Sequence, residues 1–173
     1  LFSVAEHIID ELRKNSGKWK DAGMGTLAFF RIVECEINQR IMRRFVQEIS
    51  LEKLDMKISD ITNKKKRALW LTFLKKFQML GAGTLPGLEL GSCALFFEKI
   101  SSGAGPDSHV KDYCIEILAN ILSEPGLRAI LENKMTTLIG SEEVTKYRNA
   151  PAHGRLVTLD IAEQGRAHCI TAL

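Results

Sequence analysis

Apolar residues recur along this chain at three- and four-residue intervals, the spacing that lays one stripe down the side of an α-helix. The clearest run lies between about residues 26 and 49, where Phe29 or Phe30, Val33, Ile37, Ile41, Phe45 and Ile49 share a face. Glu34, Glu36, Asn38, Arg40, Arg43 and Arg44 lie off the centre of that face. A shorter stripe of Val4, Ile8 and Leu12 predicts a first helix over residues 3–14. Ser3 with Glu6 three residues on has the form of a capping box, and Asn15-Ser16-Gly17 closes the helix.

Further along, residues 50–62 fit either a short helix or a loop with local turns. The basic run Lys64-Lys65-Lys66-Arg67 leads into Leu69 or Trp70, Phe73, Leu74 and Phe77, an amphipathic helix with a positive flank. Gly81, Gly83, Gly87 and Gly91 with Pro86 mark a connection; without a G-K-[ST] ending they do not form a phosphate-binding P-loop. Helices are expected over about 89–100 and 107–122, the second capped by Asp107 or Ser108 and striped by Val110, Cys114, Ile117, Leu118 and Ile121. Pro125-Gly126 is expected to interrupt, with helix resuming over 127–138. Ser141 opens a short helix reaching residue 147, and Thr158 caps a last one with Asp160 in its first turn. No stretch alternates as a strand would. The pattern therefore predicts an all-α fold, a single bundle of about five to seven helices over 1–173, with 50–110 as a candidate insertion.

Composition narrows this little. With 24 Lys plus Arg against 21 Asp plus Glu the net charge is +3, which permits nucleic acid as a partner without demanding it. Cys35, Cys93, Cys114 and Cys169 show no C-x-x-C spacing, so they read as reduced, mostly buried thiols of a cytoplasmic or nuclear protein. No metal site is expected from them. No apolar run is long enough to span a bilayer, so no membrane is expected among the partners. The chain opens on Leu1 and stops at Leu173 inside an expected helix, which predicts a segment of a longer protein with flanking domains.

Candidate chemistry gathers near the C-terminus, in Tyr147-Arg148-Asn149-Ala150-Pro151-Ala152-His153-Gly154. On an unbroken helix Arg148 and His153 would stand about 140° apart. Pro151 lacks an N–H and pushes Ala150 out of the α region, so the helix ends near Asn149 and His153 can fold back toward Arg148. A guanidinium offers paired donors to phosphate oxygens, and an imidazole exchanges protons near neutrality. RNA supplies its own nucleophile, the 2′-hydroxyl. His7, His109 and His168 lack a partner at useful spacing, and Trp19 and Trp70 are expected to pack rather than stack on bases.

This stretch, followed by Leu159-Asp160-Ile161-Ala162-Glu163, resembles the end of a HEPN domain. HEPN domains are small helical bundles marked by an Arg and a His a few residues apart, commonly with Asn right after the Arg. Here Asn149 holds that place and four residues separate Arg148 from His153. The resemblance implies a metal-independent endoribonuclease without cofactor, acting on single-stranded RNA as a homodimer whose two motifs share one cleft. His153 would act on the 2′-hydroxyl or the leaving 5′-oxygen, Arg148 would neutralise the phosphate, and Asn149 would orient either. Glu34 on the long helix would position Arg148, with Asn38 one turn later and Tyr147 and Arg155 as support. Apart from the resemblance, Lys64, Lys65, Lys66 and Arg67 read first as a solvated helix face that keeps the domain soluble, and second as an RNA- or phosphate-facing patch. Many domains of this family are not nucleases, so the resemblance equally admits a module for dimerisation or for binding RNA or protein.

Overall fold

The computed structural model describes residues 6–7, 10–11, 13–14, 23–140 and 158–172, of which 23–25, 159, 161 and 168–172 are described by backbone alone. Those between 6 and 14 are helical. The elements that follow are α1 (Gly23–Ile37), a π turn (Asn38–Met42), α2 (Arg43–Glu48), α3 (Leu51–Ser59), α4 (Lys64–Gly81), α5 (Leu90–Ser101), α6 (Ser108–Ile121), α7 (Glu124–Leu131), α8 (Lys134–Gly140) and α9 (Leu159–Ala172). No strand occurs among the described residues, and the protein is all-α. The chain forms two compact units, a discontinuous one of Leu1–Glu36 with Thr137–Leu173 and a contiguous one of Ile37–Thr136.

Local chemistry explains where the helices begin. Ser50 accepts the Lys53 N–H at 3.2 Å and starts α3, so the ambiguous segment 50–62 is mainly helix. Asn63 accepts the Lys66 N–H at 3.1 Å and starts α4. Ser123 accepts from the Gly126 N–H and starts α7, with Pro125 in its first turn. The expected interruption at Pro125-Gly126 is therefore a helix start, since a proline's missing N–H costs nothing in the first turn. The break falls instead at Asn133, whose φ of 64° lies in the left-handed region between α7 and α8. Its side-chain oxygen sits 2.8 Å from the Ser101 hydroxyl.

The long stripe predicted over 26–49 is present as α1, the π turn and α2 in unbroken succession. Within it the Arg43 N–H reaches back five residues to the Asn38 carbonyl. Such a turn inserts one residue into the helical count and rotates the faces on either side. Asn38, expected off the apolar face, is buried at 5% exposure.

The contiguous unit is built around Phe96 of α5. Its ring lies 5.3 Å from that of Phe45, 5.4 Å from Phe77, 5.5 Å from Phe73, 5.8 Å from Phe97 and 6.4 Å from Trp70. One aromatic thus joins α2, α4 and α5, mostly edge to face, the arrangement favoured by the ring quadrupole. After α4 the chain reverses at Gly83, whose φ of +72° a side chain would strain.

In the discontinuous unit, Arg166 of α9 donates to both carboxylate oxygens of Glu6 at 2.8 and 3.0 Å, and Arg13 donates to Glu163 at 2.7 Å. Glu6, expected to close a capping box, is engaged with Arg166. Thr158 precedes α9 as expected, its carbonyl accepting the Ala162 N–H at 3.0 Å.

Candidate functional site

The motif residues Tyr147, Arg148, Asn149, His153 and Arg155 lie outside the described residues, as does the expected short helix ending at 147. Of their proposed supports, Glu34 sits on α1 with its side chain 13% exposed and forms an ion pair with Arg31 one turn earlier.

Asn38 has a defined partner in the contiguous unit. Its side-chain oxygen accepts the Leu88 N–H at 2.6 Å and its amide nitrogen donates to the Leu88 carbonyl at 2.8 Å. Both peptide groups of one buried loop residue are thus satisfied by one side chain. Gly87 makes room for it, because a Cβ there would stand 2.8 Å from the Asn38 amide carbon. Arg43, one turn on, donates to the Pro86 carbonyl at 2.6 Å. The π turn and the residue after it therefore fasten the connection between α4 and α5, a task that amino-acid type and spacing did not signal.

The basic run splits into two roles. Lys66 turns inward and donates to Asp107 at 2.7 Å. Lys64, Lys65 and Arg67 are exposed and, among the described residues, form no ion pair. Trp70 is fully buried, and its indole N–H donates to the other Asp107 oxygen at 3.0 Å. It packs, as expected, and offers no face to a base.

Asp107 is the chemical centre that pattern reading missed. It is one of two cap candidates, with Ser108, but its side chain makes no capping bond and instead joins Lys66, Trp70 and, at 3.6 Å, Lys111. Burial works to raise its carboxyl pKa. The Lys66 and Trp70 hydrogen bonds and the nearby Lys111 charge outweigh burial and hold it down at about 2. Lys111 is buried too and donates to the Ser102 hydroxyl at 2.8 Å, the Gly103 carbonyl at 2.9 Å and the Ser102 carbonyl at 3.2 Å. Its partners are all met, so the cluster braces the segment before α6 rather than presenting a reactive group.

Tyr113 of α6 accepts the Ser50 N–H at 3.1 Å, with the Lys53 and Lys57 ammonium groups 4.6 and 5.6 Å from its ring centre. His109 bonds the Lys57 carbonyl at 2.7 Å, which orients its ring within the packing of α3 on α6. Cys93 and Cys114 are buried and Cys35 is half-buried, and none of the three is in a disulfide. Burial raises the Cys114 thiol pKa and makes it a poor nucleophile.

Among the described residues, no group of three or more His, Cys, Asp or Glu is gathered to hold a metal ion. No described helix is long and apolar enough to cross a membrane. No protein-family model, curated protein or solved structure matches this chain.

Proposed function

We propose that the chain is a HEPN-like endoribonuclease domain that cleaves RNA by attack of the 2′-hydroxyl, without a metal ion. The observation that carries the reading is the segment Arg148-Asn149 with His153 four residues further on, set in an all-helical chain. His153 takes the 2′-hydroxyl proton or delivers one to the departing 5′-oxygen. As the 2′-oxygen bonds to phosphorus, Arg148 neutralises the growing phosphate charge and Asn149 fixes its orientation. The 5′-oxygen leaves as a hydroxyl, and a 2′,3′-cyclic phosphate remains on the other fragment. Glu34, already paired with Arg31, holds Arg148, and a second copy supplies the other half of the cleft.

Labelled single-stranded RNA incubated with the purified chain in EDTA tests this. Cyclic-phosphate ends from the parent, and their loss in both Arg148→Ala and His153→Ala, are the expected results. Cleavage no greater than that of the two folded variants would sink the catalytic reading. A second reading, a non-catalytic binding module, is favoured by Asn38, whose amide is engaged by Leu88 rather than held free for substrate.

A further inference from the structure

We propose that the outward face of α4 is a sequence-independent docking surface for the phosphate backbone of single-stranded RNA. The proposal rests on RNA being the ligand, as in the reading above, but not on its cleavage. Helix α4 has 18 residues, six of them Lys or Arg, and no Asp or Glu. Two of the six are engaged within the fold, Lys66 with Asp107 and Lys76 with the Ser92 hydroxyl at 2.6 Å. The other four, Lys64, Lys65, Arg67 and Lys75, are exposed and form no ion pair among the described residues.

Stability alone does not explain this arrangement. Three of the four cations stand in the first turn of the helix, where the macrodipole disfavours positive charge by roughly 0.3–1 kcal/mol each. Lys64 and Arg67 are also i,i+3 neighbours of like sign, which repel. The face is complementary to a polyanion. From Lys64 to Lys75 it rises about 16 Å along the helix, long enough to meet several successive phosphates.

The aromatic residues determine what kind of contact this is. Trp70, Phe73 and Phe77 of α4 are 0%, 2% and 0% exposed, turned into the core around Phe96. A single-strand binder that reads or stacks bases needs aromatic faces in solvent. Here no aromatic ring faces outward and the charged groups on the exposed side are all cations, so the contact is to phosphate and carries no sequence preference. The same fact favours RNA over an anionic membrane. Interfacial helices insert Trp, Phe or Leu, whereas the apolar side chains exposed on α4, Leu71 and Met79, are isolated and only 41% and 37% exposed.

The test uses a labelled 2′-O-methyl oligonucleotide, which binds as RNA does but lacks the attacking hydroxyl. Anisotropy titrations across a salt series should give a log K against log salt slope of about −3, since four phosphate contacts each contribute about 0.7. The variant K64A/K65A/R67A/K75A should lose most of that slope while keeping the parent's circular dichroism and melting no lower than the parent. K53A/K57A, which removes lysines from the Tyr113 face, should keep it. U-rich and A-rich strands should bind within about twofold of each other. An unchanged slope in the quadruple variant, an equal loss per charge in K53A/K57A, or a tenfold base preference would overturn the proposal. So would binding to phosphatidylserine vesicles with none to the oligonucleotide. Binding that depends on α4 without any RNA cleavage would keep this inference and remove only the catalytic one.

Discussion

Replacing Asp107 by Asn keeps the shape of the side chain and removes the charge that Lys66 and Lys111 surround. The ionisation contribution follows from its pKa of about 2 against an ordinary 3.8, which at 1.36 kcal/mol per unit is about 2 kcal/mol. Because the folded value is the lower one, that stability is fully present above about pH 4. It is lost as pH falls through about 2. The substitution costs more than this, because the Lys111 side chain is only 5% exposed and would keep a buried charge with no counter-ion. Lys66, 39% exposed, can turn to water and contributes less. Breaking a buried pair typically costs about 3–5 kcal/mol, and we expect about 3 here. Urea unfolding followed by far-UV circular dichroism should show the midpoint of Asp107→Asn lowered by more than about 1 M. The parent should lose stability between pH 4 and 2, and the variant should lose less, keeping only what other lowered acids such as Glu132 contribute. Adding Lys111→Met to the variant should restore part of the loss by removing the orphaned ammonium. A midpoint within a few tenths of molar of the parent, or an acid limb as steep in Asp107→Asn as in the parent, would refute the account.

Asn38→Ala should cost about 2–4 kcal/mol in the same unfolding assay, because it strands a buried N–H and a buried carbonyl of Leu88. Hydrogen exchange at the Leu88 amide should rise with it, and unchanged exchange would show that the clamp is dispensable. Phe96→Ala should cost about 3–5 kcal/mol, since five aromatic rings border the side chain it removes. A loss under about 1 kcal/mol by calorimetry would mean that these rings close over the gap.

The all-α class and most helix positions were legible because helical burial repeats at a period that amino-acid types display directly. The stripe of Phe29 or Phe30, Val33, Ile37, Ile41, Phe45 and Ile49 is buried at every position except Ile41, which is half-buried. The misreadings have distinct physical causes. Pro125 with Gly126 reads as a breaker in sequence, yet the same missing N–H suits a first helical turn, and only the capping bond of Ser123 decides between the two. Asn133 carries no strong break signal of its own; its left-handed φ is compatible with Asn chemistry and stands beside Ser101, 32 residues away in sequence. Asp107, like Ser108, reads locally as a cap because caps are local, whereas its partners Lys66 and Trp70 come from α4. Asn38 followed a straight helical count that the π turn interrupts. Of the candidate site, only Glu34, Asn38 and the basic run lie among the described residues.

That basic run shows how one helix can hold two opposed demands. Four consecutive cations at the start of α4 oppose its macrodipole, and intrinsic preference would place acids there. The helix forms because Asn63 satisfies a first-turn N–H and because Trp70, Phe73 and Phe77 bury against Phe96 on the opposite face. Each fully buried aromatic contributes on the order of 2–3 kcal/mol, several times the penalty of one misplaced charge. Lys66, the member of the run that points inward, is neutralised by Asp107, so the remaining charge projects outward. Core packing therefore supplies the stability that leaves Lys64, Lys65 and Arg67 unpaired with any carboxylate among the described residues. Acidic substitutions there should raise stability while weakening polyanion binding, the opposed signs expected when a surface is shaped by its ligand rather than by the fold.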